Sequence, residues 1–253
     1  MAKRSSNTHS QDANQNDKPT SSNQPLRIKL DHLNNFQPLT NNQKLFFDAY
    51  KRGDYFIALH GVAGTGKTFI ALYKALEEVL DRSNPFNKII LVRSSVQSRD
   101  MGHLPGDAED KMEIFRQPYI QICHTLFGRQ DAYQRLVEQG HIEFISTSFI
   151  RGMSFDDAII IVDEMQNMNF DEIDTVMTRV GYRSKIIWCG DYRQTDLKKA
   201  GDKSGLLKFF DIAYHMSSFT RIEFVPDDIV RSSLVKDYIL AKLKFEDGAE
   251  KAI

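Results

Sequence analysis

The chain has 253 residues, of which 41% are hydrophobic and 26% are charged, a composition typical of a folded globular protein. Its net charge of −1 excludes the class of proteins that bind polyanions through an overall excess of positive charge. Cys123 and Cys189 give neither a disulfide framework nor zinc-binding spacing, and no apolar run approaches the roughly 20 residues of a membrane span. We therefore expect a cytoplasmic protein that does not associate with membranes.

The beginning of the chain is strongly polar. Residues 1–26 are rich in Ser, Asn, Gln, Thr, Asp and Lys, and they lack the apolar side chains needed to offset the entropy cost of ordering. From there on, apolar segments recur without a linker or an internal repeat. We predict a disordered tail over 1–30, one folded domain over 31–245 and a short C-terminal tail over 246–253.

Within the predicted domain, short apolar runs alternate with amphipathic segments. Five runs are typical of strands: 55–61, 88–95, 142–147, 158–164 and 185–191. Three segments have helical periodicity: 67–80, 109–128 and 131–140. The second helix is expected to break at Pro118. This alternation predicts a three-layer α/β fold around a mostly parallel sheet, whose ligands bind at the carboxyl ends of the strands.

Glycine or acidic residues end three of the predicted strands, so we expect them to share one edge of the sheet. These ends are Gly61, Asp163–Glu164 and Gly190–Asp191. The first of them opens the segment GVAGTGKT (61–68), which fits the phosphate-loop pattern G-x-x-x-x-G-K-S/T between a strand and a helix. Glycines allow backbone amides to converge on phosphate oxygens at the start of the helix.

This loop predicts that the cofactors are ATP and Mg²⁺. Lys67 is expected to reach the β- and γ-phosphates, and the Thr68 hydroxyl to hold Mg²⁺. The predicted nucleotide-binding residues of the loop are Gly61, Ala63, Gly64, Thr65, Gly66, Lys67 and Thr68.

Two adjacent acids follow the apolar run 159–162. We predict that Asp163 ends a strand beside the phosphate-loop strand and completes the Mg²⁺ shell with Thr68. Glu164 is predicted to accept a proton from the water that attacks the γ-phosphate. The alternative is that both acids begin a helix, where they would favour its dipole.

The segment GDYRQTD (190–196) places an uncharged amide, Gln194, shortly after a strand. Such a group can orient the attacking water and sense the γ-phosphate, and we predict this role for Gln194. The alternative is an ordinary polar turn.

These motifs, in this order, resemble the RecA-like core of superfamily 1 helicases, whose Mg²⁺ motif often reads Asp-Glu-x-Gln. Eight segments together are similar to the PhoH family of phosphate-starvation-inducible P-loop ATPases, over about residues 36–243. The segments are LTNNQKLFFDA (39–49), GVAGTGKT, GHLPGD (102–107), IEFISTSFIRG (142–152), IIVDEMQN (160–167), TRVGYRSK (178–185), GDYRQTDL and DDIVRSSLV (227–235). The resemblance implies a single RecA-like lobe that hydrolyses ATP and acts on single-stranded RNA or DNA in a helicase-like way.

The resemblance also implies roles for residues outside the loop. Gln43 matches the helicase glutamine that reads adenine. Stacking on the base is assigned to one of three aromatic residues, with core packing as the alternative: Phe36, Phe46 or Tyr50. Gln166 is implied to link the nucleotide site to the strand-binding face.

Arg231 matches a late arginine of the family, which implies an arginine finger that neutralises charge on the transferring phosphoryl group. The alternative is a surface ion pair with Asp227 or Asp228.

The segment 93–106 occupies the place where helicases first contact their strand, and its cations and hydroxyls suit a phosphate backbone. The predicted nucleic-acid contacts are Arg93, Ser94, Arg99, His103 and Arg151, and Arg179 is a further candidate. An ordinary βα loop is the alternative. The family usually has Arg-Pro where this chain has Arg93-Ser94, which leaves the polynucleotide preference open.

Only about 60 residues follow Asp191, whereas a second lobe takes roughly 150. We therefore predict that a neighbouring subunit completes the ATP site, and the resemblance implies a ring, with a hexamer as the candidate. Two other functions stay open. One is a nucleic-acid-binding or scaffolding protein that ATP switches with little turnover. The other is a small-molecule kinase, although the Asp-Glu-x-Gln and Gly-Asp-x-x-Gln pair favours water as the acceptor.

Overall fold

The structure, a computed structural model, describes residues 27–94, 108–191 and 200–250. The strands in these ranges are β1 (Phe56–Gly61), β2 (Lys88–Arg93), β3 (Ile142–Ser146), β4 (Ala158–Asp163), β5 (Lys185–Gly190) and β6 (Phe219–Phe224). The helices are α1 (Asn41–Arg52), α2 (Lys67–Leu80), α3 (Ala108–Phe127), α4 (Ala132–Glu138), α5 (Phe170–Met177), α6 (Ala200–Tyr214) and α7 (Ser233–Glu250). No helix in this described part of the chain is long and apolar enough to cross a membrane.

All six strands run parallel in one sheet, in the order β3-β2-β4-β5-β1-β6. Strands β1, β4 and β5 are buried along their whole length, which explains why they are continuous apolar runs. Their side chains alternate between two cores. Ile159 and Ile161 pack under α1 to α4, whereas Ile160 and Val162 pack under α5 and α6. The predicted three-layer α/β fold with a parallel sheet is confirmed.

The phosphate-loop strand and the Asp163 strand are not neighbours, so that prediction is wrong. Strand β5 lies between them and pairs with β1 on one side and with β4 on the other. The carboxyl ends of β1, β4 and β5 nevertheless share one edge, because all three strands run in the same direction.

The expected break at Pro118 is also wrong, since α3 continues through this residue. A proline in a helix removes the hydrogen bond to the carbonyl four residues earlier, here that of Ile114. The Ile114 residue is 43% exposed. Water therefore has access to this turn of the helix, which reduces the cost of the lost hydrogen bond.

Candidate nucleotide-binding site

The segment between β1 and α2 turns through three glycines with left-handed backbone angles. Their φ values are +111° at Gly61, +77° at Gly64 and +81° at Gly66, a region that disfavours side chains. A Cβ at Gly61 would also lie 2.2 Å from the carbonyl oxygen of Phe224, at the end of β6. That carbonyl accepts a hydrogen bond from the Val62 amide at 3.0 Å. The loop is therefore fixed by its glycines and by the edge strand.

Lys67 is the first residue of α2, and its side chain is buried. Its ammonium group donates to the carbonyls of Gly61 at 3.0 Å and Val62 at 2.8 Å, within the loop itself. Burial lowers the pKa of Lys67, whereas the nearby charge of Asp191 raises it. The lysine therefore stands inside the loop and faces acids at the ends of neighbouring strands.

The buried Asp163 carboxylate, at the end of β4, accepts two hydrogen bonds. Thr68 Oγ1 donates to Oδ1 at 2.7 Å, and Tyr119 Oη donates to Oδ2 at 3.0 Å. Tyr119 lies on α3 and is fully buried, and burial raises its pKa well above its usual range. Tyr119 is therefore a permanent donor that fixes the orientation of this carboxylate.

Glu164 follows immediately, and its backbone is left-handed, with a φ of +52° that is uncommon for a residue with a side chain. Gln166 donates from Nε2 to Glu164 Oε2, and its Oε1 accepts from the Asp191 amide at 3.0 Å. Burial and the charge of Asp163 raise the pKa of Glu164, and the charge of Arg93 opposes them. Gln166 thus connects Glu164 to the end of β5.

These groups line one cavity of about 560 Å³, which lies within the range of small-molecule sites. The acids and the loop share this cavity with Phe36, Leu39 and Gln43. The cavity is lined by predicted site residues from five segments: Gln43, Ala63, Gly64, Thr65, Gly66, Lys67, Thr68, Arg93, Asp163, Glu164 and Arg231.

Gln43 is almost completely buried, and its amide contacts protein backbone. Its Oε1 accepts from the Leu39 amide at 2.8 Å, and its Nε2 donates to the Thr65 carbonyl at 3.0 Å. The side chain therefore holds the phosphate loop against α1. Half-buried Phe36 lines the cavity. Phe46 and Tyr50 are core residues whose rings pack 5.6 Å apart, so Phe36 is the aromatic residue that remains for stacking.

Arg231 is exposed and lies over the loop of its own chain. The preceding amide, of Val230, donates to the Gly64 carbonyl at 3.1 Å. The Arg231 Cγ would be 3.1 Å from a Cβ at Gly64. Among the ion pairs of the described residues, none involves Arg231, and Asp228 instead accepts from Asn42 at 2.6 Å.

The predicted nucleic-acid contacts do not form one cluster. Arg93 lies in the nucleotide cavity, and buried Ser94 donates to Glu172 Oε1 at 2.8 Å. Arg151 is exposed and does not line this cavity. Arg179 donates to the Met153 carbonyl at 3.4 Å. Three predicted residues lie outside the described part of the chain: Arg99, His103 and Gln194.

Sequence reasoning missed Tyr119 and the hydrogen bond from Val230 to the phosphate loop. It places Asp191 at a strand end on this edge of the sheet but gives it no partner. Tyr119 lies in a helix next to a proline, and no local signal connects it with an acid 44 residues away. Its role is visible only in the folded chain.

Comparison with known proteins bears on the identity of the whole domain. The sequence profile of the family described as PhoH-like protein matches residues 35–242. The chain belongs to the PhoH-like protein family. The PhoH-like protein of Bacillus subtilis is 36% identical over 203 residues, and that of Mycobacterium leprae is 31% identical over 223 residues. These alignments cover 80% and 88% of this chain, and each covers 62% of the relative.

The PhoH-like chain thus spans less than two thirds of the length of the curated relatives that it matches. Its fold is similar to that of the large terminase of a thermophilic bacteriophage, with a TM-score of 0.50 and 10% identity. That alignment covers 80% of this chain and 50% of the terminase chain. The family and the fold support a P-loop core of the ATPase type.

Proposed function

We propose that this PhoH-like protein hydrolyses ATP in a Mg²⁺-dependent reaction that is coupled to the binding or remodelling of single-stranded RNA or DNA. One observation carries the proposal. A single cavity is lined by a phosphate loop, by a hydroxyl and carboxylate in contact, and by an adjacent half-buried acid, Glu164. Each group is of the type that hydrolysis of a phosphoanhydride requires.

The phosphate-binding part of the proposal rests on the loop and Lys67. The lysine ammonium now donates to loop carbonyls, and phosphate oxygens are stronger acceptors for a cation. Binding of ATP would exchange neutral partners for charged ones. The adenine would lie against Phe36, with Gln43 offering its remaining amide hydrogen.

The residues for Mg²⁺ fit that ion. Thr68 and Asp163 present a hydroxyl and a carboxylate oxygen 2.7 Å apart, and hard oxygen ligands are those that Mg²⁺ prefers. Bound Mg²⁺ would supply neutralisation of the charge on the phosphates. Tyr119 keeps the second carboxylate oxygen engaged and so maintains the orientation of the first.

In the chemical step, Glu164 accepts the proton of the attacking water. Its raised pKa makes it a better base than an exposed glutamate, and the hydrogen bond from Gln166 limits its rotation. Arg231 neutralises charge on the transferring phosphoryl group from above the loop. Because Arg231 lies over the loop of its own chain, it would act within one subunit.

Coupling to a polynucleotide is supported by the surface after β3. Phe149 is 64% exposed, and Arg151 follows two residues later, also exposed. An exposed aromatic ring and a guanidinium group suit stacking on bases and contact with phosphates. Both follow the carboxyl end of a strand, the edge of the sheet that also carries the nucleotide cavity.

Self-association is supported by α7, which begins two residues after Arg231. Several of its large apolar side chains are exposed, among them Leu234 at 78% and Tyr238 at 69%. A second subunit, within a ring, would cover this helix next to the open nucleotide cavity. Sedimentation velocity with and without ATP tests this part, and a fully active monomer would contradict it.

The central experiment is steady-state release of phosphate from ATP, with and without single-stranded RNA or DNA. Wild type is expected to hydrolyse ATP in Mg²⁺ and not in EDTA, and one polymer is expected to stimulate it. Glu164→Gln should lower turnover by about 10²-fold or more while still binding ATP. ATP binding without turnover in the wild type would instead indicate an ATP-switched binding protein.

A further inference from the structure

We propose that Arg93 is a catalytic cation of the ATP site that contacts the γ-phosphate, and not a contact to the polynucleotide. This inference rests on the proposed function and adds a residue to its machinery. It reassigns an arginine that sequence position alone connects with the strand-binding loop.

The first observation is the backbone position of Arg93 in the sheet. Arg93 is the last residue of β2, and in the parallel register with β4 it lies opposite Asp163. The two side chains therefore emerge at the same edge of the sheet, from adjacent strands. The next residue, Ser94, turns away and donates to Glu172. Arg93 thus belongs to the sheet that builds the nucleotide site.

The second observation is the position of the Arg93 side chain in the cavity. Arg93 is half-buried and lines the cavity that Lys67, Asp163 and Glu164 also line. Its guanidinium carbon lies 5.4 Å from the centre of the Phe115 ring on α3. Contact with an aromatic face restrains a guanidinium group and leaves its edge N–H groups available as donors. Arg93 is therefore a preorganised donor inside the cavity.

The neighbours of Arg93 point to the γ-phosphate as its target. The base would lie against Phe36 and Gln43, and the phosphate loop determines where the phosphates lie. Arg93 lies opposite Asp163 in the register of β2 with β4, and it lines the same cavity as Glu164. A cation beside the proposed base contacts the terminal phosphate and not the α-phosphate.

The charges of the site give a physical reason for this arginine. Asp163, Glu164 and Asp191 bring carboxylates to the cavity, and the incoming triphosphate adds more negative charge. Lys67 inside the loop and Arg231 above it approach from the β1 side. Arg93 approaches from the β2 side, so the transferring phosphoryl group would meet positive charge on two sides.

The test compares Arg93→Gln with Arg82→Gln, a matched change of an exposed arginine that does not line the cavity. Three quantities are measured: affinity for ADP and for a non-hydrolysable ATP analogue by calorimetry, basal turnover without polymer, and nucleotide-free binding of single-stranded oligonucleotides. Arg93→Gln should weaken binding of the analogue by about tenfold or more and lower basal turnover by about 10²-fold. Its affinities for ADP and for oligonucleotides should stay within about twofold of wild type.

Arg82→Gln should change none of the three quantities. Arg93→Lys keeps the positive charge but not the planar guanidinium group, so it should recover part of the affinity for the analogue. This variant replaces Arg93→Gln in the comparison if the glutamine variant does not fold. The inference is overturned if Arg93→Gln retains analogue affinity and turnover, if it weakens ADP and analogue equally, or if it mainly loses oligonucleotide binding. A wild type that binds analogue and ADP without hydrolysis would contradict the proposed function alone, since the binding comparison still decides the role of Arg93. A wild type that binds neither nucleotide would overturn both.

Discussion

The substitution Tyr119→Phe removes one hydroxyl and so tests how much Tyr119 contributes to metal binding by Asp163, the candidate Mg²⁺ ligand. The Tyr119 hydroxyl donates to Asp163 Oδ2 at 3.0 Å from a fully buried side chain. A hydrogen bond to a charged group contributes about 1.5–3 kcal/mol, and loss of such a supporting contact typically weakens metal binding by about 10- to 100-fold. Because the tyrosine is buried, water has no direct route to replace it. The Mg²⁺ concentration for half-maximal hydrolysis is therefore expected to rise by at least about tenfold.

The assay is phosphate release at saturating ATP over a series of free Mg²⁺ concentrations. Maximal turnover at high Mg²⁺ should fall much less than the apparent Mg²⁺ affinity, because Thr68 and Asp163 remain. Tyr133→Phe is the matched control, since Tyr133 is also buried, lies on α4 and does not line the cavity. Equal Mg²⁺ dependence in the two variants would refute the argument, even if both were less stable than wild type.

Three further predictions concern stability. Gly61→Ala should cost at least about 2 kcal/mol more in urea unfolding than Gly140→Ala, because both have positive φ but only Gly61 would place a Cβ against backbone. Burial raises the folded pKa of Glu164 above its unfolded value, so its ionisation opposes folding at neutral pH. Glu164→Gln should therefore raise the melting temperature of the nucleotide-free protein at neutral pH, and calorimetry should show this gain disappearing in acid. Glu78→Gln leaves buried Lys185 without the carboxylate that lies 2.8 Å from its ammonium group. It should lower the free energy of unfolding in urea by about 2–3 kcal/mol, which is more than Lys185→Met should lower it.

The sequence predicted the central strands within one or two residues, because buried strands appear as continuous apolar runs. It missed β6, whose inner residues alternate with exposed ones, as expected of an edge strand. Strand order was not accessible in the same way. The apolar run of β5 gives no indication that it inserts between β1 and β4, since pairing between distant segments leaves no local trace.

In the candidate site, too, local sequence patterns could be predicted and contacts between distant segments could not. The phosphate loop and the acids at 163 and 164 are local patterns, and the cavity contains both. The contact from Tyr119 and the direction of Arg93 depend on helix α3 packing against the sheet, which no spacing rule encodes. Placing Arg93 with the polynucleotide followed the order of motifs along the chain. The register of β2 with β4 favours the nucleotide instead.

Contacts that β6 and the turn after it make with early segments of the chain have a consequence for biosynthesis. Phe224 accepts from Val62, and Asp228 accepts from Asn42, a partner 186 positions earlier in the chain. Closures over such distances form late and slow folding. A nascent chain that has emerged only through β5 would carry the complete loop sequence without its supporting strand. Nucleotide affinity should therefore appear abruptly when β6 leaves the ribosome, and ATP would stabilise only chains that include β6.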